Sequence, residues 1–321
     1  MDGAQDGQTL ADHGEFAVIG AITQAIREAR APGEDVLVGP GDDAAVLRVR
    51  TGHVVVSSDL LVEDRHFRRA WTSAYDVGRR AAAQNLADIA AMGGTATWLT
   101  VGLAAPGDTP VEWVRDLARG LAEEAALVGA DVVGGDLTQS GEIMIAVTVM
   151  GACAQAPVLR DGARAGDVVA LAGRQGWSAA GLAVLSRGFR SPRTVVEAHR
   201  RPEPPYAAGP EAARAGATAM IDVSDGLLAD LGHVATASGV AIDIDSTVFE
   251  IPEPLHAVGA ALGADPLAFI LTGGEDHSLV ACFENAADVP DGWLRIGRVV
   301  AGSGVTVDGE PRSEAGGWTH F

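Results

Sequence analysis

The stretch TAMIDVSDGLLADLGHVATASGVAIDI, residues 218–244, decides the fold class. Thr218–Val223 reads as an apolar strand, Leu227–Ala237 as a helix and Val240–Ile244 as a second strand. Asp222 and Asp225 bracket Ser224 where the first strand hands over to the helix. In α/β proteins ligands gather outside the carboxyl ends of strands, so these aspartates stand where a site is expected.

The same mixture extends outward. Strand Val168–Leu171 leads to helix Ser178–Ser186 and an arginine- and proline-rich connection through Pro205. In the first half, Phe16, Ile19, Ile22 and Ile26 recur at helical spacing over Glu15–Ala29, and extended runs follow at Val36–Val38, Ala44–Val49 and Val54–Val56. A glycine-rich joint, Gly39-Pro40-Gly41-Asp42-Asp43, separates the first two runs. A helix from Ser73 to Met92 is opened by the capping pattern Ser73-x-x-Asp76 and closed by Gly93-Gly94. Thr95–Leu103 follows as a strand, and Thr109-Pro110-Val111-Glu112 opens a second long helix to Val128. Asp131–Val133 and Ile143–Met150 complete this half as strands, and Ala154–Gly166 is the candidate domain boundary. The expectation is an α/β protein with mixed (α+β) sheets, divided into a flexible N-terminus (1–14), an N-terminal domain (15–153) and a C-terminal domain (154–321).

Composition narrows the chemistry. The 321 residues suit two domains of about 150 each, and 47% hydrophobic content supplies their cores. With 23 basic residues against 43 carboxylates the net charge is −20, which argues against a nucleic-acid partner. A polyanionic small ligand then needs divalent cations to bridge it to the protein's own carboxylates. The sequence contains no lysine. That excludes a Walker A loop, a protein-kinase strand lysine and a pyridoxal Schiff base. Cys153 and Cys282 lie in apolar segments and read as buried thiols of a reducing compartment. Met1–Gly14 lacks a signal-peptide pattern and no apolar run approaches about 18 residues, so a cytoplasmic protein with no membrane partner is expected.

The aspartates stand out by position. Asp42 and Asp43 sit in the glycine-rich joint, Asp59 ends the Val54–Val56 strand, and Asp136 follows Gly134-Gly135 at the end of another. Asp88 lies inside an alanine-rich helix, where aspartate is a poor resident, with Asn85 three residues earlier on the same face. Singly, each has an ordinary reading: a turn for Asp42 and Asp43, a helix cap for Asp225, solvent for Asp88. Jointly they suit Mg²⁺, a hard, oxygen-seeking ion that uses one or two carboxylates beside substrate phosphates. Several such ions need several aspartates, and they supply the positive charge that a Walker lysine would contribute.

Nine stretches in order carry a family resemblance: Gly14-Glu15-Phe16, Gly41–Ala45, Ser57-Ser58-Asp59, Val62 to His66-Phe67, Asn85–Gly93, Gly134-Gly135-Asp136, Asp222–Leu227, Gly273–Asp276 and Gly317–Phe321. Through them the chain resembles the thiamine-monophosphate kinases of the aminoimidazole-ribonucleotide-synthetase-like superfamily. The resemblance implies a two-domain architecture of that type, ATP as co-substrate, thiamine monophosphate as acceptor, several Mg²⁺ ions, and a homodimer formed through the N-terminal sheets. It implies a metal-binding set of Asp43, Asp59, Asp88, Asp136, Asp222 and Asp225 with oxygens of Ser57 and Ser58, the first five also serving catalysis. Gly135, Asp136, Arg160 and Ser224 are the implied nucleotide contacts, and His66, Glu275 and Trp318 the implied acceptor contacts. His277 and Leu137 depart from the family, which usually carries a tyrosine and a hydroxyl residue there.

Two rivals are kept. A selenophosphate-synthetase-like enzyme resembles this chain in its aspartates but uses an N-terminal Cys or selenocysteine and a lysine, absent here. A non-catalytic divalent-metal-binding protein would use the carboxylates alone, yet no twelve-residue EF-hand loop appears.

Overall fold

The structure, a computed structural model, describes residues 15–38, 46–47 and 53–311. Asp42, Asp43, Trp318, the 1–14 segment and most of the Ala44–Val49 run lie outside the described residues. The chain divides into two compact units, one of residues up to Leu86 with Ala96–Gly151, the other of Ala87–Thr95 with Ala152 onward.

The first unit holds helix α1 (Glu15–Ala29), the antiparallel pair β1 (Val36–Val38) and β2 (Val46–Leu47), and a four-stranded sheet. That sheet contains β3 (His53–Val62), β4 (Thr95–Ala105), β5 (Asp131–Gln139) and β6 (Met144–Cys153) in the order β3-β6-β4-β5, with β4 and β5 parallel. Helices α2 (Ala74–Ala91) and α3 (Val111–Leu127) meet backbone to backbone through a reciprocal glycine pair. A Cβ on Gly78 would lie 2.1 Å from the Leu117 carbonyl oxygen, and one on Gly120 2.1 Å from that of Tyr75. The Ser73 hydroxyl caps α2 as expected, accepting the Asp76 N–H at 3.2 Å and donating to its carboxylate at 2.8 Å.

Two strands run further than the sequence indicates. β3 continues through Asp59 to Val62, and β5 continues through Gly134-Gly135-Asp136 to Gln139, so neither Asp59 nor Asp136 ends its strand. Parallel pairing with β4 carries β5 past its glycines, and Gly135 approaches so closely that a Cβ would lie 2.0 Å from the Val101 carbonyl oxygen.

The second unit is built on a seven-stranded mixed sheet in the order β13-β12-β9-β11-β7-β10-β8. Its strands are β7 (Val168–Ala172), β8 (Ala219–Val223), β9 (Ala241–Ile244), β10 (Ser278–Phe283), β11 (Leu294–Val300), β12 (Gly304–Val307) and β13 (Glu310–Pro311). Strand alternation loads both faces: Val169, Leu171, Ile221, Val223, Val280 and Cys282 enter one core, and Ala170, Ala172, Met220, Leu279, Ala281 and Phe283 the other. Helices α4 (Trp177–Ser186), α5 (Arg193–Arg200), α6 (Ala208–Arg214), α7 (Leu227–Ser238), α8 (Glu253–Leu262) and α9 (Pro266–Thr272) complete the unit. The arginine- and proline-rich connection therefore contains α5 and most of the approach to α6, because Val195, Val196 and Ala198 give a short buried face among its charges. Val158 sits in the second unit's core, and its N–H donates to the Met92 carbonyl at 3.0 Å, so the expected boundary segment is packed chain and not a loose linker. No single helix among the described residues is long and apolar enough to cross a membrane.

Candidate active site

In the first unit the site residues hang on β3, on the turn after it and on β5. Alternation along β3 puts the half-buried Ser57 and Asp59 on one face and the exposed Val54, Val56, Ser58 and Leu60 on the other. The Asp59 N–H donates to Asn85 Oδ1 at 3.2 Å, and the buried Asn85 amide donates to the Ala81 carbonyl at 2.9 Å, tying α2 to the strand. Ser58 is turned away from Asp59, its hydroxyl donating to the Val147 carbonyl at 3.1 Å beside Thr148 Oγ1 at 2.9 Å. His66 Nδ1 accepts the Val62 N–H at 3.0 Å, so a neutral ring carries its proton on Nε2. Gly135 and Asp136 are exposed on β5.

The second unit gathers its share at the ends of β8 and β10. Asp222 is buried in β8, Ser224 and Asp225 follow, and the loop 273–277 extends the β8–β10 pairing alongside them. The Glu275 N–H donates to the Ser224 carbonyl at 2.9 Å and the His277 N–H to that of Val223 at 3.1 Å. A Cβ on Gly274 would lie 2.0 Å from the Ser224 carbonyl oxygen, which explains the glycine in this double loop. Glu275 and His277 adopt positive φ angles of 68° and 53°, uncommon for residues with a Cβ. The charges of Asp88 and Glu275 both reach His277, whose Nδ1 lies 3.1 Å from Asp222 Oδ2. Asp88, Asp222, Ser224 and Glu275 are thus brought together. Arg160 is placed by its backbone: its carbonyl accepts the Ser238 hydroxyl at 2.9 Å at the end of α7, and the adjacent Leu159 carbonyl accepts the Met220 N–H of β8 at 3.1 Å.

Sequence reasoning missed three groups. Asp230, not Asp225, serves the start of α7: its Oδ2 accepts the N–H groups of Asp225 and Gly226, each at 3.0 Å. The signal was an acid in the first turn of a helix that opens with glycine. Asp276 receives the Ser178 N–H at 2.9 Å and so caps α4 from another part of the chain, which no local pattern reveals. His277, which the sequence marks only as a departure from the family, is the hydrogen-bond partner of Asp222.

The electrostatics are those of crowded acids. Burial, then the charge of Asp222 and of Asp225, push the Asp230 carboxyl up to about 7 against the two N–H bonds that favour its anion. Burial likewise pushes Asp276 up to about 7, opposed by the Ser178 and Gly176 N–H groups. For His277 burial favours the neutral ring, but the hydrogen bond and charge of Asp222 and the charges of Glu275 and Asp88 outweigh it, so its pKa is raised. Ligand atoms of Asp225, Asp230 and His233 lie within 4.8 Å of one another, two carboxylates and one imidazole.

Comparison with known proteins places this geometry in a family. The AIR synthase related protein N-terminal domain matches residues 41–153, and the corresponding C-terminal domain residues 164–310. A thiamine-monophosphate kinase of Mycobacterium tuberculosis is 48% identical over 321 residues, covering 99% of this chain and 95% of that protein. The chain belongs to the thiamine-monophosphate kinase family. Solved structures of the family share the fold. A thiamine-monophosphate kinase from Stenotrophomonas maltophilia K279a superposes with a TM-score of 0.80 at 33% identity, covering 91% of this chain and 97% of that one. AaThiL complexed with AMPPCP and TMP superposes at 0.77 with 31% identity, covering 99% and 100%.

Proposed function

We propose that this chain transfers the γ-phosphoryl of ATP to thiamine monophosphate, giving thiamine diphosphate and ADP, with Mg²⁺ as the metal. Identity of 48% along nearly the whole chain to a thiamine-monophosphate kinase is the observation that carries this reading. The acidic cluster supports its metal dependence: the charges of Asp222 and Asp225 add to burial in raising the Asp230 carboxyl, and a cation nearby would oppose them. Asp59, Asp88, Asp136, Asp222 and Asp225 are the residues to hold Mg²⁺, with Asp43 and with oxygens of Ser57 and Ser58. Bound Mg²⁺ supplies positive charge that offsets the repulsion of two phosphoryl groups.

The residues themselves bind and orient. Gly135, Asp136, Ser224 and Arg160 contact the nucleotide; Glu275, His66 and Trp318 contact the acceptor. Residues 15–153 act as the ATP, Mg²⁺ and dimerisation half, and 154–321 add nucleotide and acceptor contacts. The acceptor is a phosphate monoester with a second pKa of about 6, already largely dianionic near neutral pH. Its oxygen attacks the γ-phosphorus, the bond to the β,γ-bridging oxygen breaks, and the electron pair leaves with ADP. With no proton to remove, the site needs no general base and forms no phosphoenzyme.

Two copies pair through the N-terminal sheet, in the cytoplasm. Val54, Val56 and Leu60 are 46%, 59% and 48% exposed on one face of edge strand β3, interrupted by Ser58, and this mostly apolar face is what the partner copy covers. Rapid quenching with [γ-³²P]ATP tests the chemistry: label passes straight into thiamine diphosphate. Label on the protein before product overturns direct transfer, and label absent from thiamine diphosphate overturns the reaction.

A further inference from the structure

His277 occupies a position that costs free energy to maintain. It lies one residue before β10 with φ at 53°, a left-handed backbone in which a Cβ crowds the following carbonyl oxygen. Its N–H is committed to the Val223 carbonyl at 3.1 Å, and its ring is buried. Nδ1 stands 3.1 Å from Asp222 Oδ2; the carboxylate accepts, so the ring donates. Nε2 is buried with no hydrogen-bond partner among the described residues, so the Asp222 contact is what orients the ring. Asp222 in turn is flanked along β8 by Ala219, Met220, Ile221 and Val223, all buried and apolar.

We propose that His277 is a positioning residue: by donating Nδ1–H to Asp222 Oδ2 it fixes the plane of that carboxylate and leaves Oδ1 to face the divalent cation. This rests on the reading of Asp222 as a Mg²⁺ ligand. Hydrogen-bond partners of metal ligands commonly change metal affinity by about 10–100-fold when removed. The effect acts through Asp222 and does not touch the acceptor, so it falls on Mg²⁺ affinity and spares acceptor binding.

Two variants separate donor from bulk. His277→Asn offers an amide donor near the position of Nδ1 and tolerates the left-handed backbone, whereas His277→Leu keeps bulk and loses the donor. Magnesium titrations by calorimetry, alongside the Mg²⁺ dependence of turnover, read the result. Wild type binds, His277→Leu binds about tenfold or more weakly, and His277→Asn recovers to within about threefold. The KM for thiamine monophosphate stays level in both. Equal affinity in wild type and His277→Leu overturns the positioning role while leaving the metal reading intact, and so does an Asn variant as weak as Leu. Absence of Mg²⁺ binding by wild type overturns the metal reading itself. If His277→Leu fails to fold, ¹⁵N resonances of the wild-type ring decide: a proton on Nδ1 supports the proposal, and a ring protonated only at Nε2 overturns it.

Discussion

Replacing Asp230 with asparagine should stabilise the metal-free protein at pH 8 and do little at pH 4. Asp230 is buried, and its carboxyl is pushed from 3.8 up to about 7 by burial, Asp222 and Asp225. A raised carboxyl pKa means that between roughly pH 4 and 7 the folded protein holds a proton that the unfolded chain has released, so stability falls as pH rises through that window. Three pKa units correspond to roughly 4 kcal/mol once both states are ionised. The asparagine Oδ1 still accepts the Asp225 and Gly226 N–H groups, and the extra strength of those bonds to the wild-type anion is already contained in the raised pKa, which they oppose. The gain is therefore up to roughly 4 kcal/mol above pH 7, or about 6 °C in melting temperature for a chain of this size. Thermal unfolding of both proteins in EDTA from pH 4 to 8 measures the difference, and millimolar Mg²⁺ should narrow it by stabilising wild type more. A variant less stable than wild type at pH 8 without metal, with a pH-independent difference, would refute the argument that these acids burden one another.

Asp88→Asn should lower kcat by at least about 100-fold while the metal-free melting temperature stays level or rises; near-normal turnover with a large loss of stability would make Asp88 structural. Glu275→Gln should raise the KM for thiamine monophosphate about tenfold and leave the KM for ATP within about twofold, and the reverse pattern would place Glu275 on the wrong substrate. Val56→Asp should convert the dimer to a monomer in light scattering, because a buried unpaired carboxylate cannot be accommodated in an apolar sheet face; an unchanged dimer mass would move the interface elsewhere.

What the sequence disclosed follows from how local each signal is. The α2 helix was legible at both ends because Ser73 caps it through its own neighbour Asp76 and Gly93 leaves it at a φ of 74°. The joint at Asp222–Gly226 was legible because strand, turn and helix lie in one short stretch. β5 looked three residues long because glycines rarely prolong a strand; what carries it to Gln139 is pairing with β4, contributed by distant sequence. The helix-cap reading of Asp225 gave way to Asp230 for a related reason, since a residue four positions into α7 reaches back to the free N–H groups. The cap supplied by Asp276 to α4 and the pairing of His277 with Asp222 depend on contacts across 98 and 55 residues, which no window along the chain contains.

One assay decides the reaction: purified protein with ATP, offered thiamine monophosphate or free thiamine, with Mg²⁺ or with EDTA, and followed for thiamine diphosphate. Thiamine diphosphate should form only from thiamine monophosphate and only with Mg²⁺ present, with one ADP for each product. Thiamine diphosphate formed from free thiamine at a comparable rate, an undiminished rate in EDTA, or no product from thiamine monophosphate with Mg²⁺ and ATP would contradict it.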